Sequence, residues 1–148
     1  DEIVKKLKRN KWDLKGKKLV CASADGHSYG LMLADNVYRE INAEVVNGGV
    51  DVQPSALLDL ADGEETDCIC VSTHCGQCLS YASTLMKLAR HRNRAYKIVM
   101  GGMFTALKPG QSVPVDVQKE IRDTGVYAEN DFEEQIKYLF SDEKRQEK

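Results

Sequence analysis

In Lys17-Lys18-Leu19-Val20-Cys21-Ala22-Ser23-Ala24-Asp25-Gly26-His27-Ser28-Tyr29-Gly30, a compact apolar run from Leu19 to Ala22 follows a basic turn. It reads as a short buried strand, and the spacing from Leu31 onward is helical. His27 therefore lies in the loop that leaves a strand's carboxyl end, the edge of an open parallel sheet at which ligands bind. Asp25 stands two residues before it. A carboxylate close to an imidazole can accept the proton of one ring nitrogen and leave the other free as a base or metal ligand. The same spaced residues also describe a turn in which Asp25 caps the following helix and His27 is solvated.

Alternation of the same kind continues along the chain. Helix is expected from Gly30 to Asn42, with Leu31, Ala34, Val37, Tyr38 and Ile41 facing a sheet, and strand from Ala43 to Val46. Gln53-Pro54-Ser55 opens a helix through Ala61, with proline in its first turn, where a missing N–H costs least. Asp67 to Val71 is an apolar run suited to a strand covered on both faces. Ser72 to Gln77 is read as its outgoing loop, and a helix follows from Cys78 to His91. Tyr96 to Met100 is the fourth strand, ending at Gly101-Gly102, where the backbone can approach a ligand closely. A long loop, Met103 to Pro114, precedes a helix from Val115 to Arg122, a short fifth strand at Gly125-Val126-Tyr127 and a last helix from Asp131 to Phe140, with Asp131 serving its N-terminus. Asp1 to Trp12 reads as a short amphipathic helix on the outside.

The expected fold is thus a doubly wound α/β domain, a five-stranded parallel sheet in flavodoxin-like or Rossmann-like order 2-1-3-4-5. Residues 1–16 form an N-terminal helix and linker, 17–140 the domain, and 141–148 a charged tail. With 148 residues, 42% hydrophobic and 30% charged, the chain can bury a full core. A net charge of -2 gives no footprint for nucleic acid. No apolar run is long enough to span a bilayer. Five cysteines, an odd number without a secretion signal, argue for reduced thiols and a cytoplasmic protein.

Strands one, three and four are neighbours in this order, so Asp25-Gly26-His27, Ser72-Thr73-His74 and Gly101-Gly102 converge on one edge. Asp25-x-His27-x-x-Gly30, Ser72 in a Val-Ser-Thr-His-Cys-Gly-Gln loop about 45 residues on, and Gly101-Gly102 together resemble the cobalamin-binding domain of adenosylcobalamin-dependent mutases and corrinoid methyl carriers. The likeness covers residues 17–140 and is nearest to the small subunit of glutamate mutase-type enzymes, through the Cys-Val-Ser-x-x-x-Gly-Gln sequence. It implies that His27 replaces the cofactor's own dimethylbenzimidazole as lower cobalt ligand, that Asp25 orients it, and that Gly30, Ser72, Gly101 and Gly102 line a slot for the displaced nucleotide tail. By the same resemblance, Ala24, Gly26, Ser28, Thr73, His74, Gly76, Met103 and Phe104 border the corrinoid. Two positions depart from the family pattern. His74 stands where Ser-x-Leu has leucine, and Cys21 where some members extend the relay with lysine, so the relay should stop at Asp25.

Thiol chemistry is the competing expectation. Cys75-Gly76-Gln77-Cys78 is a CxxC at a helix start, the setting of a redox dithiol, and His74, Cys75 and Cys78 offer three local zinc ligands. Within the cobalamin family, only about sixteen residues precede the first strand, too few for the helical bundle that caps the methyl group in methyl carriers. The expectation is therefore the cobalamin-binding component of an isomerase, with adenosylcobalamin favoured over methylcobalamin and a barrel-type substrate-binding subunit as partner. The alternative is a corrinoid protein passing a methyl group between methyltransferases.

Overall fold

A computed structural model describes residues 1–140; the expected charged tail, 141–148, lies outside the described residues. Six helices and seven strands follow the chain as α1 (Glu2–Arg9), β1 (Lys18–Ser23), α2 (Tyr29–Glu40), β2 (Glu44–Asn47), α3 (Pro54–Gly63), β3 (Cys68–Thr73), α4 (Cys78–His91), β4 (Lys97–Gly102), β5 (Thr105–Ala106), β6 (Val115–Asp116), α5 (Gln118–Thr124), β7 (Tyr127–Ala128) and α6 (Phe132–Leu139). The main sheet has five parallel strands in the order β2-β1-β3-β4-β7. This is the expected order, with β7 as the fifth parallel strand.

Both faces of the sheet are covered, as its continuous apolar strands require. On one side Leu19, Cys21, Cys70 and Val99 pack with α1, α2 and α6; on the other Val20, Ile69, Val71 and Met100 pack with α3, α4 and α5. Alternate residues of each strand thus serve opposite layers, the period-two consequence of the pleat. Among the described residues, no helix is long and apolar enough to cross a membrane.

Three local readings need correction. Ser72 and Thr73 belong to β3, not to its outgoing loop, and both are buried; they pair in register with Gly101 and Gly102. The stretch 103–114 is not simply a loop, because β5 and β6 form an antiparallel ribbon, Thr105 opposite Asp116 and Ala106 opposite Val115. The next helix consequently starts at Gln118 and not at Val115. Asp116 uses its carboxylate to accept the Gln118 amide at 2.9 Å, and the Val117 amide donates to the Phe104 carbonyl at 2.8 Å, which holds the segment against β4.

Candidate functional site

The site begins with a residue the sequence did not single out. Ser23, fully buried at the end of β1, places its Oγ 2.9 Å from the carbonyl oxygens of both Asp25 and His27 and accepts the Asp25 amide at 3.3 Å. One hydroxyl thereby folds the loop back over the strand end. Asp25 completes it. Its Oδ1 accepts the His27 amide at 3.0 Å and lies 3.1 Å from His27 Nδ1, while its Oδ2 accepts the amides of His74 at 2.7 Å and Cys75 at 3.1 Å.

Asp25 thus ties the β1–α2 loop to the β3–α4 loop. Burial of its carboxyl would raise the pKa, but the amides of His74, His27 and Cys75 outweigh it and hold the group well below the usual carboxylate range. An ionised carboxylate can only accept, so the contacting Nδ1 of His27 is the ring nitrogen that donates, which in the neutral ring leaves the Nε2 lone pair free. The Asp25 side chain is 13% exposed and that of His27 is 57% exposed, so the orienter is sheltered and the imidazole is reachable. His74 lies beside it, ring centroids 4.1 Å apart and planes tilted by 37°.

Below His27 opens a cavity of about 810 Å³. It follows one face of α2 through Gly30, Leu33 and Ala34, and one face of β3 from Ser72 back to Cys70, with α6 as the opposite wall. Glycine shapes the wall at two points. A Cβ on Gly30 would sit 3.1 Å from the Ser72 Cβ, tighter than ordinary contact, so a side chain there would press on Ser72 at the cavity wall. Gly102 has φ +118°, and a Cβ there would strike the Thr73 carbonyl. Asn130 clamps the same glycine, accepting its amide at 2.7 Å and donating to its carbonyl at 3.0 Å.

Of the residues expected at the site, the structure brings Gly26, His27, Ser28, Gly30, Ser72, Thr73, His74, Gly101 and Gly102 to this cavity. Asp25 acts one step behind, on His27. Gly76 is exposed in the β3–α4 loop, Met103 is exposed beyond β4, and Ala24 packs against the core under α3 and α4. Phe104 is the clear departure: it is buried with Cys78, Val117 and Ile121 in the layer on the opposite side of the sheet. Sequence reasoning missed Ser23, Ile3, Asn130, Phe132 and Gln135. Gln135 was detectable, since it shares an apolar helical face with Phe132, Ile136 and Leu139. It is buried, its Oε1 accepting from the Tyr38 hydroxyl at 2.7 Å and its Nε2 donating to the Glu129 carbonyl at 2.6 Å.

The two cysteines of the CxxC differ in setting: Cys78 is buried with its Sγ 3.5 Å from the Thr105 carbonyl, and burial pushes its thiol pKa up, whereas Cys75 is half-buried in the β3–α4 loop. Among the described residues, no group of three or more His, Cys, Asp or Glu side chains is placed to hold a metal ion.

Comparison with known proteins gives this edge its family. The model of the B12 binding domain matches residues 18–131. The chain belongs to that family. Two solved structures share the fold of this B12-binding domain. A cobalamin-binding protein from Desulfitobacterium hafniense superposes with a TM-score of 0.60 at 18% identity, over 76% of this chain and 51% of that one. The methanol:cobalamin methyltransferase complex from Methanosarcina barkeri does so with 0.54 at 18%, over 57% of this chain and 34% of that one. The B12-binding domain described here therefore spans about half the length of the first and about a third of the second. Among curated proteins none matches.

Proposed function

We propose that this domain takes its corrinoid with the cofactor's own base detached, His27 Nε2 serving as lower cobalt ligand and the nucleotide tail lying in the cavity between α2 and α6. The observation that carries the reading is the His27 Nδ1 contact to Asp25 at 3.1 Å, at the mouth of a cavity cradled by glycines. The residues present suit that group. An imidazole with a free Nε2 is a nitrogen ligand for a transition metal, and its carboxylate partner raises its basicity. Gly30 leaves the cavity wall beside Ser72 clear of a side chain. When bound, the corrinoid supplies a cobalt–carbon bond that the protein's partner chemistry exploits.

This chain's own part is to hold and orient. Asp25 fixes the tautomer of His27, Ser23 fixes the loop, and Ser72 offers a hydroxyl along the slot. Basicity of the lower ligand is set through Asp25, whose second oxygen ends on backbone amides and not on a further charged side chain.

The finer reading is a component of an adenosylcobalamin-dependent carbon-skeleton mutase, working with a substrate-binding subunit of barrel type. It rests on the likeness of Cys70-Val71-Ser72 and Gly76-Gln77 to the glutamate mutase small subunit. A radical formed at the upper face needs a second protein surface to exclude water, so the chain alone should show no isomerase activity. The methyltransferase complex that shares the fold favours a second reading, a corrinoid carrier of methyl groups. Reconstitution with adenosylcobalamin or methylcobalamin and candidate partners separates them. Rearrangement of a carbon skeleton with adenosylcobalamin supports the mutase; turnover with methylcobalamin and none with adenosylcobalamin contradicts it.

A further inference from the structure

The family match begins at residue 18 and ends at 131, yet Ile3, Phe132 and Gln135 help to line the cavity. These come from α1 and α6, so the outer wall is built by segments that flank the matched region. α1 is firmly seated. Its Val4 and Leu7 are buried, and beyond it Trp12 is 6% exposed. Glu133, in the first turn of α6, accepts from Trp12 Nε1 at 2.7 Å and from Asn10 Nδ2 at 3.0 Å. The segment is thus bonded to α6 one residue past Phe132. Ile3, Leu33 and Phe132 pack on the same core cluster and give this side of the cavity an apolar lining, in contrast to the glycines and hydroxyls of the strand ends. Phe132 is itself backed by Tyr38, edge to face at 5.8 Å, and Tyr38 is held by Gln135.

We propose that α1 is the retaining wall of the slot: Ile3, with Leu33 and Phe132, closes on the corrinoid's nucleotide tail and sets how slowly the cofactor leaves, and Glu133 is the latch that keeps the wall in place. The inference rests on the tail-in-slot reading above. A flat heteroaromatic base buried against aliphatic and aromatic side chains gains from apolar area removed from water, and a wall fixed before binding loses little order on closing.

The test uses the full chain loaded with cobalt-57-labelled hydroxocobalamin and chased with excess unlabelled cofactor, following label retained on the protein. Ile3→Ala and Glu133→Ala, the latter removing the acceptor of both latch bonds, should each release label roughly tenfold faster than wild type, with the absorbance spectrum of the bound form unchanged. Ile3→Trp should slow loading. Lys5→Ala, an exposed change on the same helix, should behave as wild type. Should Glu133→Ala fail to fold, Ile3→Ala decides, since it leaves the latch intact. Release from Ile3→Ala within about twofold of wild type, while uptake still depends on His27, overturns the wall and leaves the binding reading standing. Failure of the wild-type chain to take up label removes both.

Discussion

Replacing Asp25 by Asn keeps the shape of the side chain and removes its charge, and the structure gives two orientations to weigh. With Oδ1 left toward His27, the new NH₂ faces the amides of His74 and Cys75, now 2.7 and 3.1 Å from a donor. Two hydrogen bonds to a charged group contribute about 3–6 kcal/mol; water reaching the loop recovers part, leaving a loss of about 2–4 kcal/mol. With the amide flipped, those two bonds survive, but the NH₂ now faces the His27 amide, which loses its acceptor, and donates to His27 Nδ1, driving the ring proton to Nε2. Stability then falls by only about 1–2 kcal/mol, while the lone pair needed for a metal is capped. Either way hydroxocobalamin affinity should fall by about 10–100-fold, as for removal of other residues that orient metal ligands. Urea unfolding and cofactor titration at neutral pH measure both. The pH dependence follows from the direction of the Asp25 shift. A carboxyl held below its unfolded value of about 3.9 contributes its stability in full above that pH and loses it as pH falls toward the folded value. The gap between wild type and Asp25→Asn should therefore be constant from neutrality to about pH 5 and narrow below about pH 4. Equal stability and equal affinity at neutral pH would refute the role given to Asp25.

Three further outcomes follow from the same geometry. Gly102→Ala, which puts a Cβ against the Thr73 carbonyl at φ +118°, should destabilise the domain by about 3 kcal/mol or more, read as a fall in thermal midpoint; an unchanged midpoint would contradict the strand-end geometry. Gly30→Val should leave the circular dichroism spectrum of the folded chain intact but abolish cofactor uptake, because its side chain projects toward Ser72; normal uptake would place the tail elsewhere. The double variant Cys75→Ser/Cys78→Ser should retain corrinoid where His27→Ala loses it, and the reverse pattern would transfer the site to the thiols.

Legibility in the sequence divided along physical lines. β1, β3 and β4 announce themselves because strands buried on both faces must be continuously apolar, and the loops after them then share an edge. The apolar run of β3 ends at Val71, so Ser72 and Thr73 read as loop residues in sequence although the ladder with Gly101 and Gly102 continues through them. The β5–β6 ribbon is two residues per strand, too short for any period to show, so Val115 reads as part of the following helix. His27 and Asp25 could be found because their partnership is local, two residues apart. Ser23 was hidden in the strand run, and Ile3, Phe132 and Asn130 reach the cavity only through packing of elements remote in sequence. Gln135 left a trace, a polar residue on an apolar helical stripe, whose meaning depends on the buried Tyr38 hydroxyl opposite it. Phe104 shows a related limit: adjacency to the double glycine puts it near the site in sequence, while its side chain packs in the other layer.

The most direct measurement is electron paramagnetic resonance of the cobalt(II) form bound to this domain, prepared with natural-abundance and with nitrogen-15 histidine. With His27 Nε2 on cobalt and the cofactor's own base detached, the axial splitting should be a triplet from nitrogen-14 that becomes a doublet in the histidine-labelled protein, and it should vanish in His27→Ala. A triplet unchanged by the histidine label would mean that the axial nitrogen belongs to the cofactor itself, and the ligand assignment would be wrong.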